Sequence, residues 1–179
     1  MERKTVTVKT KYGVLEGLAE EGFNVFRGIP YAKPPVGELR FKTPLECEPW
    51  EGVREAFEFG SICPQVLITD GYYYKEFYAD PRFIPPQSED CLYLNIWVPA
   101  EKRDEKYPVA MWIHGGSFDH GWGSEEEFDG EIFARKDVIL VTINYRVGPF
   151  GFLALPELRE EDPNGSTGNY GLLDQIMAL

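Results

Sequence analysis

The chain has few cysteines, no long apolar run and no cluster of basic residues. Three cysteines in 179 residues are too few for a disulfide scaffold, and Cys47, Cys63 and Cys91 form no closely spaced metal-binding pair. No stretch approaches the roughly 18 consecutive apolar residues that a membrane span needs. The net charge of -12 argues against nucleic acid as a partner, because binding a polyanion depends on clustered Lys and Arg. We therefore expect no metal, no membrane segment and no nucleic-acid partner.

The chain is rich in the residues that build a core. It is 43% hydrophobic and contains 12 Phe, 10 Tyr and 4 Trp, which a disordered acidic chain would lack. This content suffices for one globular core. Residues 1–8 alternate like a strand and include no apolar core of a signal peptide, so we expect a cytoplasmic protein unless a leader was removed.

Apolar periodicity predicts an α/β fold whose sheet begins antiparallel and becomes parallel. The predicted opening strands are Thr5 to Thr10, Val14 to Ala19, Phe23 to Ile29 and Leu92 to Val98. Two continuous apolar runs, Val109 to Ile113 and Val138 to Ile143, have the length and β-branched content of strands buried on both faces by helices. A short helix is expected over Glu131 to Lys136, between these two strands.

The remaining segments predict a loop-rich surface and a terminal helix. Residues 30–87 are dense in proline, which removes backbone donors and restricts both helix and inner strand. A final helix is expected after Asn169 as N-cap, with Leu172, Ile176 and Leu179 on one face. No Gly, Pro or basic last turn closes this helix, so we expect the natural chain to continue past Leu179.

The segment His114-Gly115-Gly116-Ser117-Phe118 directly follows a predicted buried strand. Glycines at a strand end let the backbone turn sharply and leave consecutive N–H groups unobstructed, so that they can hold the negative oxygen of a tetrahedral intermediate. A tight turn without a catalytic role is the alternative for two glycines taken alone.

Several separated stretches share one order with a known family. They read FRGIPYA (26–32), PPVGELRF (34–41), SEDCLYLNI (88–96), HGGSF (114–118), NYRVGPFGFL (144–153) and GNYGLLDQ (168–175). In these stretches the chain resembles the type B carboxylesterase and cholinesterase family. The resemblance implies the α/β-hydrolase fold, with residues 1–179 forming the N-terminal part of a single catalytic domain. It also implies hydrolysis of a small-molecule carboxylic ester by a serine, without a cofactor.

The resemblance assigns the oxyanion hole to this chain. The backbone N–H groups of Gly116 and Ser117 are the implied donors, and Gly115 allows the turn. The family often has glycine at the position of Ser117, but a backbone donor does not depend on its side chain. Phe118 and Trp122 are candidates for the wall of the active-site gorge, with simple packing as the alternative for Trp122.

A nucleophile is missing from the sequence. The Gly-x-Ser-x-Gly elbow of this fold occurs nowhere: residues 164–168 lack the first glycine and residues 115–119 lack the last. We expect the serine, acid and histidine after Leu179, an inactive fragment, and the rest of its own catalytic domain as a partner. His114 and His120 are poor candidates for the base, because in this fold the histidine follows the serine and the acid; His114 is expected to brace the oxyanion loop. A non-catalytic adhesion or binding protein of the same fold is the competing hypothesis.

The resemblance further implies two ion pairs, Arg40 with Glu89 and Arg146 with Asp174, in structural roles. Cys63 and Cys91 occupy positions that close a disulfide in secreted members, and a reducing cytosol favours free thiols here. The loop between them carries aromatic residues that could line an apolar substrate entrance or pack on the surface. These residues are Tyr72, Tyr73, Tyr74, Phe77 and Tyr78.

Overall fold

The computed structural model describes residues 3–67, 70–78 and 80–179, and within them a seven-stranded mixed sheet forms the centre of the molecule. The strands are β1 (Thr5–Lys9), β2 (Val14–Glu20), β3 (Phe23–Pro30), β4 (Val53–Glu55), β5 (Tyr93–Pro99), β6 (Val109–Ile113) and β7 (Ile139–Ile143). Their order across the sheet is β1-β2-β3-β5-β7-β6, with β4 added beside β2. The predicted change from antiparallel to parallel pairing is present. Each neighbouring pair in the series β1-β2-β3-β5-β7 is antiparallel, and β6 pairs parallel with β7.

Strand β2 pairs with both β3 and β4, using different residues for each. Its first half, Val14 to Glu16, pairs parallel with β4, whereas Leu18 to Glu20 pairs antiparallel with β3. The strand β4 was not predicted, because its three residues lie in a segment whose prolines favour loop. A register shift follows Phe26 in β3, where Gly28 has a φ of 63° and donates its N–H to Asn95 Oδ1 at 3.0 Å.

The two apolar strands differ in burial, which corrects one expectation. Strand β7 lies between β5 and β6 and buries four of its five residues. Strand β6 is not buried on both faces: it forms an edge of the sheet, and Val109 is 64% exposed. A run of apolar residues indicates a strand, but it does not reveal whether the strand lies inside the sheet or at its edge.

The helices are short. They are α1 (Gly71–Phe77), α2 (Glu131–Ala134), α3 (Gly148–Phe152), α4 (Pro156–Glu161) and α5 (Tyr170–Ala178), with single 3-10 turns at Gly37–Leu39, Pro81–Phe83 and Glu126–Phe128. Helix α2 is shorter than predicted, and α1, α3 and α4 were not predicted. None of the helices in the described ranges is long and apolar enough to cross a membrane.

Helix α5 begins after Asn169 as predicted, although the Asn169 side chain makes no capping hydrogen bond. The helix buries Tyr170, Gly171 and Asp174. The predicted apolar face, made by Leu172, Ile176 and Leu179, is exposed.

The largest cluster of buried core residues lies at the end of the sheet where β3 and β7 end and β5 begins. It consists of Tyr31, Ala32, Cys63, Cys91, Leu92, Tyr145 and Val147, with residues of α3 and α5 packed against it. This packing joins segments far apart in sequence directly below the loop that follows β6, and so it holds the base of the candidate site.

Candidate functional site

A cleft of about 320 Å³ opens beyond the carboxyl end of β6. The loop that follows β6 and the acidic segment after it form most of its wall. The lining residues are Tyr78, Gly115, Gly116, His120, Gly121, Glu125, Glu127 and Phe128. The predicted oxyanion loop therefore borders a concave site, with Gly115 and Gly116 in its wall.

The tip of this loop, residues 115–118, has an unusual backbone. Gly116, Ser117 and Phe118 follow one another with φ angles of 110°, 55° and 66°. A Cβ atom on Gly116 would overlap the carbonyl of His120, so glycine is required there. For Ser117 and Phe118 the left-handed conformation raises the free energy of the folded chain by on the order of 1 kcal/mol each, because these residues have a Cβ atom.

The carbonyl of Gly116 closes the tip. It accepts the N–H groups of Asp119 at 2.9 Å and His120 at 3.2 Å. The N–H groups of Gly116 and Ser117 find no acceptor among the residues that the structure describes. Two successive free donors beside a cleft are what stabilisation of a developing oxyanion requires.

The two predicted gorge residues lie outside the wall of this cleft. Phe118 is exposed and its ring contacts Phe152, with ring centroids 4.8 Å apart. Trp122 is buried behind the cleft, where it packs on Tyr78 at 4.8 Å and donates its indole N–H to the carbonyl of Phe83 at 2.8 Å.

The other aromatic residues of the Cys63 to Cys91 loop are placed differently from one another. Tyr78 lines the cleft, and Tyr72 is exposed. The predictions for Tyr73 and Phe77 fall on side chains outside the described part of the chain.

His114 lies buried beneath the tip. Its ring stacks on Tyr145 with centroids 4.2 Å apart, and Nδ1 lies 2.9 Å from the carbonyl of Gly115. A carbonyl only accepts, so Nδ1 carries the proton and Nε2 is the unprotonated nitrogen. Burial lowers the pKa of His114 to about 4, and the ring is neutral at neutral pH. The geometry matches a bracing role and places no nucleophile beside the imidazole within the described residues.

Behind the tip, residues 121–125 form a return segment whose backbone is bonded to side chains. Gly121 donates its N–H to Gln65 Oε1 at 2.7 Å, and Gln65 Nε2 donates to the Gly121 carbonyl at 3.1 Å. Gly123 donates to Asn144 Oδ1 at 2.7 Å, and Asn144 Nδ2 donates to the carbonyl of Ser61 at 3.0 Å. Gln65, beside Cys63, and Asn144, which follows β7, therefore anchor the return segment.

Glu125 contributes a buried carboxyl to the cleft. Its Oε1 accepts the N–H of Trp122 and its Oε2 accepts the hydroxyl of Tyr78, both at 3.1 Å. Burial, with a smaller contribution from the neighbouring Glu127, raises the pKa of Glu125 to about 7 even though the two hydrogen bonds lower it. The group thus titrates near neutral pH rather than near its ordinary value.

The two implied ion pairs are both present, in contrasting surroundings. Arg146 forms a bidentate pair with Asp174, with Nη2–Oδ1 at 2.7 Å and Nε–Oδ2 at 2.8 Å, and both side chains are buried. Arg40 also holds Glu89 with two hydrogen bonds, at 2.5 and 2.7 Å, but its side chain is 45% exposed. In each pair, two hydrogen bonds fix the relative orientation of the side chains. The first pair connects α5 to the loop after β7, and the second connects the segment before β5 to the loop that contains Arg40.

Cys47, Cys63 and Cys91 are free thiols, all buried. Cys63 and Cys91 share the core cluster below the site, and Cys63 Sγ accepts the N–H of Val147 at 3.4 Å. The hydrogen bond with Cys63, together with burial, raises the pKa of Cys91 well above its ordinary range, which keeps that thiol protonated. Among the described residues no group of three or more His, Cys, Asp or Glu side chains is arranged to hold a metal ion.

Sequence reasoning missed Gln65, Glu125 and Asn144. Asn144 lies within a stretch that matched the family pattern, but nothing in that pattern indicates which atoms its amide bonds. The bond between Gln65 and Gly121 spans 56 residues, and Asn144 bonds groups 21 and 83 residues away, so local periodicity carries no signal of these contacts.

A family model described as the Carboxylesterase family matches residues 4–179. Over 173 residues the chain is 47% identical to the para-nitrobenzyl esterase of Bacillus subtilis (strain 168), covering 96% of this chain and 33% of that protein. It is 42% identical over 170 residues to the fumonisin B1 esterase of Sphingopyxis macrogoltabida, covering 95% of this chain and 30% of that protein.

Solved structures are similar as well. A para-nitrobenzyl esterase structure superposes with a TM-score of 0.82 at 45% identity, covering 96% of this chain and 33% of that one. A carboxylesterase of Geobacillus stearothermophilus does so with a TM-score of 0.80 at 46% identity, covering 96% of this chain and 32% of that one. The chain thus spans about a third of the length of the relatives that it matches.

Proposed function

The chain belongs to the carboxylesterase family, and from this premise we propose that it supplies the oxyanion loop of a serine esterase whose catalytic triad lies outside residues 1–179. The observation that carries the proposal is the pair of N–H groups of Gly116 and Ser117. They have no acceptor in the described residues and stand at the carboxyl end of β6, where Gly116 borders the cleft.

In the proposed reaction a serine hydroxyl from the downstream part of the domain attacks the ester carbonyl, and a histidine there takes its proton. The carbonyl oxygen becomes negatively charged and accepts hydrogen bonds from Gly116 and Ser117. Collapse expels the alcohol, which receives the proton, and leaves an acyl-enzyme. Water then attacks the acyl group by the same sequence, and the two N–H groups stabilise the second oxyanion as well.

The substrate class that we propose is a small carboxylic ester. The relatives are named for esters of different size, para-nitrobenzyl esters in one case and fumonisin B1 in another. The chemistry shared by these names is the ester bond itself, which is what an oxyanion hole recognises.

The test is to assay the chain alone and after joining it to the downstream two thirds of the Bacillus subtilis para-nitrobenzyl esterase. With a nitrophenyl ester, we expect no turnover by the chain alone, because it has no Gly-x-Ser-x-Gly elbow. The chimera should turn over the ester, and the same chimera with its elbow serine changed to alanine serves as the control.

Two results would contradict the proposal. Turnover by the pure chain at a rate near that of the chimera would identify Ser117 or Ser166 as a nucleophile. A folded chimera that binds the ester without cleaving it would favour the competing hypothesis of a non-catalytic binding protein.

A further inference from the structure

Gln65 makes an unusual set of contacts for a residue outside the cleft wall. Its side-chain amide bonds both backbone groups of Gly121, accepting the N–H at 2.7 Å and donating to the carbonyl at 3.1 Å. The same Nε2 donates to the carbonyl of Cys63 at 3.0 Å, and the Gln65 N–H is held by Gln87 Oε1 at 2.8 Å. The side chain is therefore fixed at its base and at its amide end.

Gly121 transmits this constraint to the tip of the loop. It has a φ of 107°, and a Cβ atom placed on it would lie 2.5 Å from the Gly115 carbonyl and 2.5 Å from His114 Nδ1. The peptide of Gly121 thus lies directly against the carbonyl and ring that underlie the tip. A shift of Gly121 moves Gly115 or opens a gap beneath it, because packed atoms have no free space to absorb the shift.

We propose that Gln65 is a positioning residue for the oxyanion loop, holding Gly121 so that the N–H groups of Gly116 and Ser117 keep their direction. This inference rests on the proposed function. The effect on the reaction is exerted through Gly121 and Gly115, since Gln65 does not line the cleft.

The chemistry of Gly121 explains why an amide is used. Its N–H requires an acceptor and its carbonyl requires a donor, and a side-chain amide offers both on neighbouring atoms of one uncharged planar group. A carboxylate of the same shape would keep the acceptor but would face the carbonyl oxygens of Gly121 and Cys63 without a proton.

The variants Gln65→Glu and Gln65→Met are to be made in the active chimera. The first preserves shape and the bond from the Gly121 N–H but loses both donated hydrogen bonds, and the second removes all three side-chain hydrogen bonds without adding charge. We expect kcat to fall about 10-fold to 100-fold, in line with the cost of misplacing a reacting group by about 1 Å. KM should change by less than about threefold, because ground-state binding does not depend on the oxyanion donors.

The matched control is Gln87→Glu. Gln87 lies at the other end of the same contact chain, but its oxygen acts only as an acceptor for the Gln65 N–H, and a carboxylate keeps that role. This variant should retain kcat within about twofold. The amplitude of the nitrophenol burst gives the concentration of working active sites. Each rate is divided by this concentration, so that misfolded protein does not lower the measured kcat.

A boronic acid that mimics the tetrahedral intermediate gives a second measurement. Its affinity should fall by the same factor as kcat/KM in the Gln65 variants, because both report binding of the oxyanion. If both Gln65 variants keep kcat per active site and boronate affinity within twofold of the parent, the inference is overturned while the proposed function stands.

An inactive parent chimera would contradict the proposed function. In that case backbone amide hydrogen exchange still tests whether Gln65 positions the tip. Asp119 and His120 donate to the Gly116 carbonyl and report the order of the tip. Their exchange should accelerate at least about tenfold in Gln65→Glu and not in Gln87→Glu. Unchanged exchange in both variants would overturn the positioning role.

Discussion

The two sides of the loop after β6 differ in how their backbone groups are hydrogen-bonded. The tip, residues 115–118, leaves the N–H groups of Gly116 and Ser117 without acceptors in the described structure and holds three successive left-handed residues. The return segment, residues 121–125, is bonded through Gln65, Asn144 and Glu125. The free N–H groups make no bond of their own, so the carbonyls of Gly116 and Phe118 and the bonds of the return segment hold the tip in place.

The contrast has an energetic reason. A donor intended for a transient oxyanion must be unused in the resting state, and a preorganised donor is effective only if it does not reorient during the reaction. The strain of Ser117 and Phe118 persists only because surrounding contacts determine the backbone there. The following predictions test how far the tip depends on the return segment.

The largest effect is expected from Gly121→Ala. The new Cβ would meet the Gly115 carbonyl and His114 Nδ1 at 2.5 Å, in a residue whose φ is 107°. Strain and overpacking together should lower the free energy of unfolding by about 3 to 5 kcal/mol. Gly115→Ala is the matched control, because nothing lies within 4 Å of its Cβ position. Urea unfolding of the two variants measures the difference, and equal destabilisation would mean that the contacts of Gly121 exclude a side chain no more strongly than the surroundings of Gly115.

A smaller effect is expected from pH, through His114. Its pKa is lowered to about 4 by burial, whereas an exposed histidine titrates near 6.5. Between these values the unfolded chain binds the proton and the folded chain does not. Stability is therefore full above about pH 6.5 and should fall by about 3 kcal/mol as the pH drops to 4.

Glu125 has the opposite effect on stability as the pH falls, so it must be replaced before the effect of His114 can be measured. Its pKa is raised from 4.5 to about 7, so the folded chain holds the extra proton in that interval and gains stability as the pH falls. The measurement is thermal or urea unfolding of Glu125→Gln from pH 8 to 4, with Glu125→Gln/His114→Asn as the control. A stability profile that is the same for both variants would show that His114 does not remain neutral in the folded chain.

The smallest effect is expected at the tip itself, from Ser117→Gly. Glycine adopts the φ of 55° without a steric cost, so the variant should gain on the order of 1 kcal/mol in unfolding free energy, reduced by the greater freedom of glycine in the unfolded chain. The backbone donor is retained, and kcat of the chimera should stay within about twofold. A loss of more than tenfold would assign a role to the serine hydroxyl.

The sequence by itself determined most of the strands and the nature of the loop. Alternation and apolar runs predicted β1, β2, β3, β5, β6 and β7 to within about two residues at each end, because side-chain period in a strand is a local property. The glycines after β6 predicted a turn with accessible N–H groups for a similar reason. The pairs of Arg40 with Glu89 and of Arg146 with Asp174 came from the family resemblance, not from periodicity.

Tertiary structure alone decided what surrounds that loop. The exposure of β6 depends on which strand lies beside it, and the short helices α1, α3 and α4 form where packing overrides weak local preference. The role of Gln65 depends on a polar contact across 56 residues, and that of Asn144 on contacts across 21 and 83 residues. Such contacts leave no trace in apolar periodicity, because a hydrogen bond needs only two matching atoms brought to about 3 Å, and the fold decides which atoms meet.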